Sequence, residues 1–227
     1  LDQLLIQQSP RLAGVISDYE RALKQRNSLL KSRAPESSLR SWSEHLATFG
    51  GEVIAGRIKL INEIEPLFQI AYKNLSAKKL AKLGYKSSIP APSSEKEVNK
   101  EVMLKVIEEV KSQEIERGIS LVGPHRDDLI LNLGDHPVKG YASHGESWSI
   151  ALALRLASYQ LFINEGAKPI LILDDVFSEL DEGRREKLLE IADSAEQTFI
   201  TVAVENDLPK AIQGARFKVE MGKVVIL

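Results

Sequence analysis

The chain has no cysteine, which excludes disulfides and thiolate metal sites and agrees with a reducing compartment. Its four histidines (His45, His125, His136 and His144) fall in no His-Glu-x-x-His or comparable zinc spacing. No apolar run is long enough to span a bilayer, and no signal-peptide pattern opens the chain. A soluble cytoplasmic protein without membrane contact is the expectation. Charge of neither sign dominates: 30 basic and 32 acidic residues leave a formal net charge of −2. Any nucleic-acid contact must then come from a local patch or a partner surface. Also missing is the Gly-x₄-Gly-Lys-Ser/Thr loop that wraps nucleotide phosphates in backbone N–H groups. The sole Gly-Lys pair, Gly222-Lys223, is followed by Val224 and has Phe217 where the first glycine would stand. The chain opens at Leu1 rather than at Met, which by itself is weak support for a fragment. There is no internal repeat.

What is present is ordinary for a globular protein: 227 residues, 43% hydrophobic and 27% charged, enough for one large or two small domains. The first third is helical in pattern. Val15, Tyr19, Ala22, Leu23 and Leu30 form one stripe, and Trp42, Leu46, Phe49, Val53, Gly56, Leu60, Ile64 and Leu67 a second, longer one. The short connection around Pro35 makes them an antiparallel pair. Gly50-Gly51 is expected to loosen the second helix and Pro66 to kink or end it. A lysine-rich stretch with Lys78, Lys79 and Lys82 follows, most simply a solvated face, and then a Pro/Ser loop over 87–94. Residues 95–117 are helical again, with Val98, Val102, Val106 and Val110 on one face.

After Gly118 the texture changes. Strands are expected at 119–122 and 129–133, around Gly123-Pro124-His125-Arg126-Asp127-Asp128. A helix with two apolar faces, hence mostly buried, follows over 147–164. Then come a strand (169–173), a helix (183–193), a strand (197–204) and a final strand pair, 217–220 and 223–227. Alternating helices and apolar strands predict an α/β fold with a mixed, partly parallel sheet. The expected division is an all-helical lobe or arm of antiparallel helices over 1–117 and an α/β part over 118–227.

Chemistry concentrates in the second part. The run Ile170-Leu171-Ile172-Leu173 predicts a strand buried on both faces, and it ends in Asp174-Asp175. Carboxylates at the carboxyl end of such a strand sit where ligands bind in open α/β sheets. In phosphoryl-transfer sites one of them helps hold Mg²⁺, while a neighbour orients or deprotonates the attacking water. An acidic turn is the plain alternative. Upstream, Ser143-His144-Gly145-Glu146-Ser147 opens the buried helix. There, free N–H groups and the helix dipole suit a phosphate, although a simple N-cap would look the same.

Taken in order, the small-residue helix start, buried helix, apolar strand, paired acids and Ser178-Glu179-Leu180-Asp181 resemble the second half of ATP-binding-cassette ATPases. That resemblance implies that Ser143 and Gly145 are signature residues, contacting the γ-phosphate of ATP held by an opposite subunit. It implies Asp174 as the Mg²⁺ ligand, Asp175 as the catalytic base, and Ser178, Leu180 and Asp181 as a D-loop along a dimer interface. A closer resemblance, along the whole chain, is to the RecF family of recombination-mediator ATPases. It rests on 23–31, on Val122-Gly123-Pro124-His125-Arg126-Asp127-Asp128-Leu129, on 141–145 and on 173–181. Cassette ATPases in general do not carry the Gly-Pro-His-Arg-Asp-Asp string, which as bare turn chemistry would mean little.

Membership of that kind implies an ATP-dependent homodimer on double-stranded DNA at gaps. It also implies RecR, with RecO, as partner leading to RecA loading, and a P-loop in an amino-terminal part that this chain lacks. On its own the chain is then expected not to turn over ATP. Two departures stand out. Glu146-Ser147 replace the family's Gln-Gln after Gly145, placing a carboxylate near a phosphate site. No switch histidine follows the strand that ends near Val204. The rival readings are a DNA-binding scaffold that has lost hydrolysis, and an SMC-type chromosome ATPase, against which the absence of long heptad runs argues.

Overall fold

The computed structural model describes residues 1–76, 79–177, 180–204, 208 and 212–227. A short helix α1 (Asp2–Gln8) leads into α2 (Arg11–Lys31), which pairs with α3 (Glu36–Leu75). Arg11 meets Glu52 while Arg26 meets Ser43, so the two run antiparallel as expected. At 1.5 Å rise per residue, α3 is a rod about 60 Å long.

Neither breaker in α3 acts as the sequence suggests. The helix runs unbroken through Gly50, Gly51 and Pro66. A Cβ on Gly51 would lie 2.7 Å from the Lys96 carbonyl and 2.8 Å from the Lys100 nitrogen. The glycine therefore lets the backbone of α4 (Lys96–Arg117) come against α3, and close packing outweighs the helix-propensity cost. Pro66 forfeits one backbone hydrogen bond. Its neighbours Ile64 and Phe68 are buried at 3% and 0% exposure, each contributing about 1.5–3 kcal/mol.

The buried stripe of α4 is Asn99, Met103, Ile107 and Glu114, whereas Val98 is exposed and Val102, Val106 and Val110 are half-buried. Sequence patterning chose the neighbouring face because two members of the true one are polar. Both are satisfied. Asn99 donates to the Gly51 and Ser93 carbonyls, and Glu114 pairs with Arg26 at 2.5 Å, with the two side chains 0% and 2% exposed. Ser43 and Ser120 accept from the other two Arg26 nitrogens, Nε and Nη1, at 2.9 and 2.8 Å. Arg26 is thus a core residue of α2.

Two further corrections concern strands. Residues 81–86, inside the part expected to be an all-helical lobe, form β1 (Ala81–Lys86), antiparallel to β2 (Asp128–Leu133). The short β3 (His136–Pro137) extends that sheet. Conversely, residues 119–122 form no strand. Their backbone groups are taken by side chains: the Ser120 N–H donates to Asn27, the Leu121 N–H to Glu114, and the Ser120 carbonyl accepts from His125 and Arg126. The two central residues are thus bonded to side chains rather than to a neighbouring strand.

The remaining elements follow the expected order: α5 (His144–Asn164), β4 (Leu171–Asp174), α6 (Glu182–Ser194), β5 (Thr198–Thr201), β6 (Phe217–Glu220) and β7 (Lys223–Ile226). β4 and β5 are parallel and joined through α6, and β6 and β7 form an antiparallel hairpin. The fold is therefore mixed α/β with partly parallel sheet. The first half of α3 packs with α2 and α4 around Leu46, Ile54 and Met103. Its second half packs with α5, β1, β4 and α6 around Phe68, Tyr72, Leu156, Phe177 and Leu188. β4 is covered on one face only: Leu171 and Leu173 are buried, but Ile172 is 67% exposed. This corrects the expectation of a strand buried on both faces.

Candidate functional site

Two groups of the expected residues stand at the surface. The first is at the start of α5, where Ser143 is the N-cap. Its hydroxyl accepts from the Glu146 N–H at 3.3 Å, and its own N–H donates to Glu146 Oε2 at 2.9 Å. The Ser-x-x-Glu spacing is a capping-box signal, so Glu146 does local structural work that Gln could also do. Its other oxygen accepts from Lys79 Nζ at 2.8 Å. That hydrogen bond, followed by those from Ser143, holds the Glu146 carboxyl down to about 2, and the same contact pushes the Lys79 ammonium up. Glu146 therefore carries its full charge, and that charge is paired.

Gly145 has an ordinary negative φ, and an added Cβ would meet only Arg184 Nη1, at 4.0 Å. Among the described residues an alanine would fit there. Arg184 was not singled out from the sequence, yet it is the junction of this region. Its Nε donates to the Leu75 carbonyl at the end of α3. Its backbone N–H donates to Asp181 Oδ1 at 3.0 Å, and its guanidinium lies 3.6 Å from Asp181 Oδ2. Asp181 is thereby the N-cap of α6. The arginine bonded to the D-loop candidate Asp181 thus lies beside the signature candidate Gly145. No spacing rule links positions 145 and 184; the link exists only once α5 and α6 are packed.

The second group is at the carboxyl end of β4. Asp174 and Asp175 are both exposed. The Thr201 hydroxyl donates to Asp174 Oδ1 across the parallel pair, and the Asp175 N–H donates to the Thr201 carbonyl at 3.1 Å. Asp175 adopts φ 51°, the left-handed region that aspartate tolerates better than most residues but still at some cost. Such strain collects at functional sites. Among the described residues no cluster of three or more His, Asp or Glu could hold a metal unaided. One exposed carboxylate suits Mg²⁺ nonetheless, because that ion is commonly held by one or two carboxylates, with waters and substrate phosphates filling its shell.

Ser178 of the expected D-loop lies outside the described residues, as do Lys78 of the basic run and residues 205–207, which hold no histidine. Lys79 and Lys82 are exposed, the former on Glu146.

The Gly-Pro-His-Arg-Asp-Asp string is a hub inside the helical part. Gly123 has φ 127°, and a Cβ there would sit 2.3 Å from the Tyr19 hydroxyl. Tyr19 Oη lies 2.5 Å from His125 Nδ1, and His125 Nε2 3.1 Å from the Ser120 carbonyl. A carbonyl only accepts, so Nε2 carries the proton and Nδ1 accepts from tyrosine. Arg57 donates to the Pro124 carbonyl at 2.7 Å, and Asp127 accepts from Tyr85 and the Ser88 N–H.

The fold and site define a class: a mixed α/β head with paired acids at the end of a parallel strand, joined to a helical arm. Two solved structures described as the recombination mediator protein RecF of the RecFOR pathway have this fold. The RecF-ATP structure matches with a TM-score of 0.83 at 24% identity, covering 99% of this chain and 60% of that one. The RecF-ATPrS structure matches with a TM-score of 0.82 at 24% identity, covering 96% and 59%. No protein-family model matches the chain. Curated relatives named DNA replication and repair protein RecF do. The protein of Streptomyces avermitilis is 49% identical over 236 residues, that is 99% of this chain and 63% of the relative. That of Beutenbergia cavernae is 46% identical over 259 residues, 99% and 65%. The chain belongs to the RecF family, and it spans 61–65% of the length of these and a third relative, from Kineococcus radiotolerans.

Proposed function

We propose that this chain supplies the signature, the acidic strand end and the D-loop of an ATP-hydrolysing DNA-repair protein. In the intact protein it works as an ATP-dependent homodimer on double-stranded DNA at gaps. The observation that carries the reading is the pair of exposed carboxylates, Asp174 and Asp175, at the carboxyl end of parallel strand β4. Ligands bind at that end in open α/β sheets. Asp174, held by Thr201, would ligate Mg²⁺, which when bound neutralises phosphate charge. Asp175 would orient the attacking water and accept its proton. Ser143 and Gly145 would meet the γ-phosphate of the opposite subunit's ATP with the hydroxyl and free N–H groups of the α5 start. Residues 1–117 supply most of the helical lobe and 118–227 most of the head portion, although β1 and the second half of α3 pack with the head and Gly123–Asp127 pack in the lobe. RecR, with RecO, is the partner we expect, leading to RecA loading.

The test is ATP turnover by the intact encoded protein, with and without double-stranded DNA, compared with Asp175→Asn. Turnover stimulated by DNA and dependent on protein concentration is expected, with Asp175→Asn losing it by at least about a hundredfold, the usual scale for a lost general base, while still binding ATP. Normal turnover in the variant would remove Asp175 from the mechanism. No turnover in the unaltered protein would favour the scaffold alternative.

A further inference from the structure

The α5 start holds a contradiction if it is to receive a triphosphate: Glu146 places a full negative charge in the first turn of the helix. As a cap that charge is favourable, since it faces the positive end of the helix dipole. Toward an incoming polyanion it is repulsive. Both carboxylate oxygens are engaged, Oε2 by the Ser143 N–H and Oε1 by Lys79 Nζ at 2.8 Å. Lys79 does not belong to α5. It comes from the connection between α3 and β1, 67 residues away in sequence.

From this we infer that Lys79 is a positioning residue of the nucleotide site: it compensates Glu146 and keeps that carboxylate turned into the cap. This rests on the signature reading of Ser143 given above. With Lys79 in place, an arriving phosphate meets the Ser143 hydroxyl and the free N–H groups beside a neutral pair. Without it, the phosphate meets a bare carboxylate that is free to swing off the cap. Lys79 is 52% exposed, so its removal should leave the core intact.

The experiment is sedimentation velocity on the intact encoded protein with ATPγS and Mg²⁺. Lys79→Met should weaken nucleotide-dependent self-association about tenfold, the scale of one uncompensated charge at the protein surface, and the defect should shrink as salt is raised. The double variant Lys79→Met/Glu146→Gln should regain most of the loss, because glutamine keeps the capping geometry without the charge. A role confined to folding would not be rescued this way, and thermal unfolding of both variants should match the unaltered protein. Wild-type association in Lys79→Met, or a double variant as weak as Lys79→Met, overturns the inference. Ser143→Arg separates this from failure of the underlying reading. If Ser143→Arg still associates normally, the signature reading falls and the role of Lys79 with it; if Ser143→Arg fails to associate while Lys79→Met is unaffected, only the role of Lys79 falls.

Discussion

The helical end of the molecule and its parallel-strand end solve the burial problem differently. Around Arg26 and Glu114 a charged pair lies wholly inside, yet every donor and acceptor found there has a partner. Among the described residues no buried side-chain polar atom lacks a hydrogen bond. At the other end the apolar side chains of Ile170, Ile172 and Phe199 stand in the open, each more than half exposed, as are Val219 and Ile226 of the final hairpin. One region has taken polar groups in; the other has left apolar groups out. Hydrophobicity alone therefore does not locate the core of this chain. Completeness of packing and pairing does.

The comparison can be broken most severely at the buried pair. Arg26→Met should destabilise the chain by about 3–5 kcal/mol, because Glu114 is left charged and unpaired in the interior. Urea denaturation reads this directly. Replacing Glu114 by Met as well should recover part of the loss, since removing both charges is often nearly neutral; an additive double variant would mean that the pair itself contributes nothing. At the other end, Leu173→Ala should cost about 2–5 kcal/mol, whereas Ile172→Thr, one residue away on the bare face, should stay within about 0.5 kcal/mol. Equal costs would show that the outer face of β4 is covered in solution.

The smallest effect is expected at His125. Burial, joined by the nearby Arg126, pushes this imidazole below its ordinary value despite the hydrogen bond to Ser120. A histidine depressed in the folded state takes up its proton more readily when unfolded. Its contribution is therefore complete above the unfolded value of about 6.5 and is lost as pH falls from there through the folded value. Protonation of Nδ1 would also oblige the Tyr19 hydroxyl to turn from donor to acceptor. The stability difference between pH 7.5 and pH 5.5 should shrink in His125→Gln, and an unchanged difference would assign the acid sensitivity elsewhere.

Much of the architecture is legible in the sequence because it follows from local period. The antiparallel α2–α3 pair, helix α5, the β4–α6–β5 unit and the final hairpin all announce themselves through spacing, although α5 is buried on one face only. So do the acids that end β4 and the small residues that open α5. The failures share one cause, namely a tertiary partner that local pattern does not contain. Gly51 reads as a helix breaker until α4 lies against it. Residues 119–122 read as a strand until side chains from α2 and α4 claim their backbone. β1 hides in a lysine-rich stretch, since Lys82 points out while Ala81 and Leu83 point in. Lys79 and Arg184 are invisible as site residues for the same reason. Each reaches its contact from an element distant in sequence.

The single rod α3 enters both hydrophobic cores, with Leu46 and Ile54 in one and Phe68 and Tyr72 in the other. A helix shared in this way cannot fray in the middle without opening both sides at once. Its two ends are thereby fixed to different things, the Glu36 end to the all-helical core and the Leu75 carbonyl to Arg184. In engineering terms α3 is a tie-rod common to both cores, and its far end meets the arginine that lies beside Gly145.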